Sequence, residues 1–227
     1  IDFIFQNASG SEAPSELTFY LPQLKTYCGA EVLSRNMHNI YTLRGAKVRD
    51  AVKWAGFINE AMAMAANADN YFASHHWPMW GNEQIIEYLE KQRDMYKYIH
   101  DQTMRLANSG LTPNEIAEEI EMPASLQQQF YNRGYYGTLK HNAKAVYQHY
   151  YGWYDGNPAN LDALTEIDAG KKYVTLMGGP DAVIAAAQAA YDKGEYRWVA
   201  QLLNHLVFAD PDNKQALGLL ATAYDQL

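Results

Sequence analysis

The residues best suited to chemistry lie in three short polar segments of the N-terminal third. Glu12 occurs in the stretch Gly-Ser-Glu-Ala-Pro-Ser-Glu, Glu31 follows Gly-Ala, and the adjacent histidines His75 and His76 precede Trp-Pro. Carboxylate oxygens and imidazole nitrogens form the mixed ligand set that zinc takes. The three segments therefore indicate a metal site. A structural alternative stays open, because loop glutamates are commonly solvated and a histidine pair is commonly a hydrogen-bonded structural element.

A fourth segment contains polar groups suited to an anion. The stretch His-Asn-Ile-Tyr-Thr-Leu-Arg-Gly includes Asn39 and Arg44. Apolar residues three or four apart then predict a helix from about Arg44 to Ala66. An arginine and an asparagine at a helix N-terminus would suit a sulfate or phosphate oxyanion, without distinguishing the two.

Composition narrows the classes of function. The chain has 227 residues and a formal net charge of -8, and its lysines and arginines form no cluster. This excludes an electrostatic footprint for nucleic acid or for anionic lipid. No apolar run approaches the roughly 20 residues of a membrane span. The single cysteine, Cys28, rules out an internal disulfide and is predicted to be a buried apolar residue.

The elements that must position these residues change in type near residue 82. Residues 1–82 show short strand patterns interrupted by one helix, which is typical of part of an α/β layered domain. Residues 83–227 show helical patterns only, so the sequence predicts an α+β fold overall. A helix is predicted from Glu83 to Ala107, and Thr112-Pro113 with Glu115 predicts a capping box at the start of the next helix.

In the last segment, residues 180–227, the residues that separate successive helices resemble those of tetratricopeptide repeats. Helical stretches are separated by Gly194-Glu195-Tyr196 and by Asp210-Pro211. A single repeat of this kind cannot bury its apolar face alone, so the segment is predicted to pack on other helices or on another chain.

Taken together, the motifs resemble one family. The relevant stretches are Glu-Ala-Pro-x-Glu, His-Asn-x-Tyr-Thr-Leu-Arg-Gly-Ala-x-Val-Arg-Asp, Ser-His-His-Trp-Pro-x-Trp-Gly, Asn-Arg-Gly-Tyr-Tyr-Gly and Gly-Trp-Tyr-Asp-Gly-Asn-Pro. They are similar to motifs of the alkyl and aryl sulfatases of the metallo-β-lactamase superfamily. The resemblance extends over essentially the whole chain. It implies that residues 1–82 are the end of a metallo-β-lactamase-like catalytic domain and that residues 83–227 are a helical dimerisation domain.

The resemblance also implies roles for particular residues. Glu12, Glu31 and His76 correspond to ligands of a site with two zinc ions. The remaining ligands belong to a His-x-His-x-Asp-His motif that this sequence does not contain. Arg44, with Asn39, corresponds to the group that binds the substrate sulfate, and Tyr150 is expected to reach the site from the helical domain.

The implied reaction is hydrolysis of alkyl sulfate esters such as dodecyl sulfate. A zinc-activated hydroxide would attack the ester while a metal ion and Arg44 neutralise the sulfate oxygens. Since the missing motif supplies most ligands, we expect the isolated chain to be inactive and to bind zinc weakly.

The sequence leaves two alternative functions open. The chain would act only as a helical homodimerisation module, or as a metallo-β-lactamase-type hydrolase of another anionic ester, such as a phosphate. The resemblance further implies a homodimer and a periplasmic or secreted bacterial location.

Overall fold

The computed structural model describes all residues from Ile1 to Leu227. It divides into two compact units, an N-terminal unit of Ile1–Gly156 and a C-terminal unit of Asn157–Leu227. The predicted boundary near residue 82 falls inside the first unit, where residues from both sides of it share one core. That a catalytic domain ends near residue 82 stays a prediction.

The N-terminal unit contains a sheet of five strands in chain order. The strands are β1 Ile4–Asn7, β2 Leu17–Leu21, β3 Thr26–Cys28, β4 Asn70–Phe72 and β5 Met79–Trp80. Neighbours are antiparallel except β3 and β4, which are parallel. A parallel pair requires a long crossover connection, and the segment between β3 and β4 supplies it. That crossover carries most of the candidate site.

Two helices build the core beside this sheet. Helix α1 spans Ala51–Met64 and α2 spans Asn82–Asn108. The ring of Trp54 from α1 stacks on Tyr96 from α2, with the centroids 5.0 Å apart. Both rings are fully buried and belong to the core that includes the strand residues Tyr27 and Tyr71. Helix and sheet positions that are apolar in sequence therefore converge on one interior.

A row of side chains crosses the sheet on one face. The register aligns Phe5 with Phe19, Phe19 with Cys28, and Cys28 with Phe72. Neighbouring phenylalanine rings lie about 6 Å apart, at 6.0 Å and 6.2 Å. Phe5 is 60% exposed, whereas Cys28 is buried and free as predicted. The N-terminal unit thus presents an aromatic sheet face that none of its own helices covers completely.

Three further helices complete the N-terminal unit: α3 Pro113–Glu119, α4 Ala124–Gln127 and α5 Leu139–Tyr151. The predicted capping box is confirmed, because the Thr112 side chain accepts from the Glu115 backbone N–H while the Glu115 carboxylate accepts from the Thr112 backbone N–H. Helix α5 starts at the N-cap Thr138 and leads back towards the crossover loop.

The start of the first helix was predicted wrongly. α1 begins at Ala51 rather than near Arg44, because the Asp50 side chain accepts from the N–H groups of Val52 and Lys53 and so caps it. Gly45 has φ 95°, which breaks any helix through this point. Arg44 is therefore on a loop and not at a helix N-terminus.

The C-terminal unit consists of α6 Glu166–Leu176, α7 Pro180–Tyr191, α8 Tyr196–Ala209 and α9 Lys214–Tyr224. The predicted helices are confirmed here. Val199, Leu203 and Leu206 of α8 are fully buried at the centre of this unit. Gly170 lets α6 approach α8 closely, since a Cβ there would lie 2.6 Å from the carbonyl oxygen of His205. None of the helices in either unit is long and apolar enough to cross a membrane.

Candidate metal and anion site

The crossover region brings two of the predicted ligands together. One ligand atom each from Glu12, Glu31 and His38 lies within 4.8 Å of the others. We call these three residues the carboxylate cluster. Glu12 comes from the loop between β1 and β2, and Glu31 from the turn after β3. Two acidic side chains from separate loops thus converge, and the imidazole beside them is that of His38.

Arg49 holds the first carboxylate in place. Its Nη2 donates to Glu12 Oε1 at 2.5 Å and its Nε donates to the Glu12 backbone oxygen at 2.6 Å. The Arg49 side chain is only 8% exposed and the Glu12 side chain 12% exposed. Because this charged pair is largely removed from water, loss of either partner would leave the other unpaired at high cost. Arg49 lies in the Val-Arg-Asp end of a family motif quoted above, but no role of its own was assigned to it from the sequence.

His38 holds the second carboxylate. Its Nε2 lies 3.3 Å from Glu31 Oε1, and its Nδ1 lies 3.2 Å from Arg49 Nη1. Burial, and then the nearby charge of Arg49, lower the pKa of His38, which favours the neutral ring. Nδ1 also lies 3.1 Å from the Asn39 carbonyl oxygen. Because the Arg49 guanidinium can only donate and the Glu31 carboxylate can only accept, we assign the hydrogen of the neutral ring to Nε2. In this tautomer His38 donates to Glu31. The sequence signal for His38 was its position beside Asn39.

The carboxylates around the cluster outnumber the positively charged groups that pair with them. Burial raises the pKa of Glu16, and the nearby charges of Glu12 and Glu31 raise it further. Arg49 is the one guanidinium bonded to the cluster. Partly buried carboxylates in excess over cations fit a divalent metal ion. The donor set at Glu12 and Glu31 therefore fits a divalent cation.

The predicted ligand His76 is placed nearby but outside the cluster. Its Nε2 is 2.7 Å from the hydroxyl of Tyr135, and the residue is exposed. The neighbouring His75 approaches the cluster instead, with Nε2 3.6 Å from Glu31 Oε1. The two loops are joined directly, because the Ser74 N–H donates to the Ala30 carbonyl at 2.9 Å.

Backbone strain occurs at two points of these loops. Ala30, immediately before Glu31, has φ 48°, and His76 has φ 76°. Left-handed conformations are costly for residues other than glycine and concentrate at functional sites. The strain thus falls beside Glu31 and at His76, two residues that the sequence proposed as ligands.

The predicted anion-binding residues are not assembled in one place. Asn39 is buried at 8% exposure, and its Oδ1 has no hydrogen-bond partner. Arg44 is exposed on the loop before α1. Tyr150 of α5 bonds through its hydroxyl to Nε2 of His100 on α2, at 2.9 Å. The contacts of Tyr150 are thus with α2 and not with the carboxylate cluster.

Comparison with known proteins identifies the family of this chain. The profile of the alkyl sulfatase dimerisation family matches residues 112–227. The chain is 55% identical to the alkyl/aryl-sulfatase BDS1 of Saccharomyces cerevisiae, over all of this chain and 35% of that protein. It is 48% identical to a linear primary-alkylsulfatase of Pseudomonas sp., over all of this chain and 34% of that protein. The chain belongs to the alkyl sulfatase dimerisation family.

A solved structure shows the same architecture. The stereoselective inverting sec-alkylsulfatase Pisa1 from Pseudomonas sp. superposes with a TM-score of 0.95 at 49% identity, covering 99% of this chain and 36% of that one. The chain therefore spans about a third of the length of the curated relatives it matches. Relatives occur in a yeast as well as in bacteria, so the family does not imply a bacterial source.

Proposed function

We propose that this chain is part of a zinc-dependent enzyme that hydrolyses alkyl sulfate esters to an alcohol and sulfate. The observation that carries the proposal is the convergence of Glu12 and Glu31 from separate loops, in a family whose named members are alkylsulfatases. The proposed ligands are Glu12, Glu31 and His76. Zinc, when bound there, supplies a nucleophilic hydroxide at neutral pH and neutralises charge on the sulfate.

The chain's own residues then have defined tasks. Arg49 fixes Glu12 through side-chain and backbone oxygens, and His38 donates to Glu31, so both carboxylates are oriented before a metal ion arrives. The exposed Arg44 is free to bind a sulfate group with charge-assisted hydrogen bonds. Asn39 and Tyr150 are proposed as further sulfate contacts; the Asn39 carbonyl oxygen lies 3.1 Å from Nδ1 of His38, whereas the Tyr150 hydroxyl bonds to His100 of α2.

The proposed catalytic fold is the metallo-β-lactamase sandwich. Such a sandwich packs two sheets face to face, and the aromatic row of Phe5, Phe19 and Phe72 is a sheet face of the required kind. The aromatic row thus supports the sandwich, while the C-terminal helices are proposed to be tetratricopeptide-like.

A second role, homodimerisation, is favoured by a separate observation. The C-terminal unit exposes large apolar side chains, with Leu176 at 81% and Leu161 at 61% exposure. Exposed apolar groups of this size are typical of interfaces. The matched family is named for dimerisation, so we propose a second copy of the protein as the partner.

The decisive experiment uses a protein of the relatives' full length that contains this chain, hereafter the full-length protein. Release of dodecanol from dodecyl sulfate is measured with and without a zinc chelator, beside dodecyl phosphate as the matched ester. We expect chelator-sensitive hydrolysis of the sulfate and little of the phosphate. Faster hydrolysis of dodecyl phosphate would support the alternative anionic-ester hydrolase, and no hydrolysis of either would leave only the dimerisation role.

A further inference from the structure

The segment that carries His38 and Asn39 has no regular secondary structure. Met37, His38, Asn39 and Ile40 belong to no helix or strand, yet they are 2%, 2%, 8% and 0% exposed. Buried backbone N–H and C=O groups need partners, and here no ladder or helical turn provides them. The partners must come from elsewhere in the chain.

Asn142 of α5 supplies two of these partners. Its Oδ1 accepts from the Ile40 N–H at 2.8 Å, and its Nδ2 donates to the His38 carbonyl at 2.9 Å. Asn142 is fully buried. One carboxamide therefore pairs with the backbone on both sides of Asn39, much as a neighbouring strand would.

Gly137, just before α5, adds a third fixed point. Its N–H donates to the Met37 carbonyl at 2.7 Å. A Cβ at this position would lie 2.6 Å from the His38 carbonyl oxygen, which is closer than side-chain atoms approach. Only glycine permits this approach of the two backbones.

The docked segment determines where the site residues lie. The His38 ring faces Glu31 at 3.3 Å, and the Asn39 carbonyl accepts from Arg49 Nη1 at 2.6 Å. Through Arg49, the same segment is joined to Glu12. Asn39 Oδ1 has no partner of its own, so the position of this amide depends on the backbone that Asn142 holds.

We propose that Asn142, supported by Gly137, is a positioning residue of the alkyl sulfatase site. It fixes the backbone of residues 37–40 and thereby sets the placement of His38 against Glu31 and of Asn39 within the site. The proposal rests on the proposed function. It gives a site role to α5, which lies in the region matched to the dimerisation family.

The test compares Asn142→Ala with Asn132→Ala in the full-length protein. Asn132 is also buried, at 2% exposure, but it bonds to Gln92 and to the Lys91 carbonyl of α2 instead of to residues 37–40. Both variants should lose stability. Only Asn142→Ala should also lower kcat/KM for dodecyl sulfate and the zinc affinity measured by chelator competition, each by roughly 10- to 100-fold.

A double-mutant cycle separates positioning from general destabilisation. Because Asn142 is proposed to act through His38 and Asn39, Asn142→Ala should cost much less kcat/KM in a His38→Ala/Asn39→Ala background than in the wild type. Additive losses would overturn the proposal, as would equal losses of kcat/KM in Asn142→Ala and Asn132→Ala.

Gly137→Ala provides a second variant if Asn142→Ala does not fold. The added methyl group displaces the same segment without removing a buried amide, so kcat/KM and zinc affinity should fall together. Wild-type values of both in Gly137→Ala would overturn the proposal. If the wild-type protein hydrolyses no alkyl sulfate, the proposed function fails, and zinc affinity alone then decides the positioning role.

Discussion

The loops around the carboxylate cluster and the helices of the C-terminal unit are held by different forces. Around the cluster, buried polar groups from distant parts of the chain pair with one another, as Ile40 and Asn142 do across 102 positions. In the C-terminal unit, apolar side chains such as Leu203 and Leu206 pack between successive helices. Hydrogen bonds between buried polar groups fix the orientation of the site residues, and a metal or catalytic site requires such fixed orientation. Apolar packing stabilises the C-terminal unit to an extent that depends on how well the buried side chains fill the interior. It leaves the outer faces of the helices available for contact with another chain.

The largest expected effect lies at the cluster. Replacing Glu12 or Glu31 with alanine in the full-length protein should lower zinc content and reduce turnover of dodecyl sulfate by at least about 100-fold, because removing a ligand exceeds the loss of an outer-sphere partner. Metal analysis and steady-state kinetics measure both quantities. Glu16→Gln is the matched control, since Glu16 is a nearby carboxyl group on which the charges of Glu12 and Glu31 act but is not a proposed ligand. Equal losses in the control would show that local charge, and not ligation, is what matters.

The second effect concerns the packing of the C-terminal unit. Leu203→Ala removes a fully buried side chain and should lower the free energy of unfolding by about 2–5 kcal/mol. Leu176→Ala removes the same groups from a residue that is 81% exposed in the single chain, and in the monomer it should change this free energy by less than about 0.5 kcal/mol. Chemical denaturation measures both variants. Similar losses in the two variants would contradict the distinction between interior and surface in this unit.

A smaller effect is expected at Arg44. Arg44→Lys keeps the charge but loses the planar fork that binds an oxyanion with two hydrogen bonds. We expect kcat/KM for dodecyl sulfate to fall roughly ten-fold to a hundred-fold. Zinc content and melting temperature should not change, because Arg44 is exposed and is not a ligand. Wild-type efficiency in this variant would remove Arg44 as the sulfate-binding group, and a lower melting temperature would give it a structural role instead.

The two regions also differ in how far the sequence predicts them. Periodicity located the C-terminal helices and the capping box at Thr112, because the contacts that define them are local. The assignment of Glu12 and Glu31 as ligands came from motifs and stays a prediction, and their convergence depends on contacts between separate loops. The start of α1 was missed, since the apolar spacing continues through Val48 although Asp50 caps the helix. His38, Arg49 and Asn142 were missed as a network because their partners lie far away in sequence.

The most direct test of the account is anomalous diffraction at the zinc edge from crystals of the full-length protein. The account predicts zinc within about 2.0–2.2 Å of carboxylate oxygens of Glu12 and Glu31, with His76 released from Tyr135 to bind the metal and His38 donating to Glu31. Zinc bound by His38 while His76 stays on Tyr135 would contradict the ligand assignment. An absence of zinc at Glu12 and Glu31 would contradict the proposal that this cluster is a metal site.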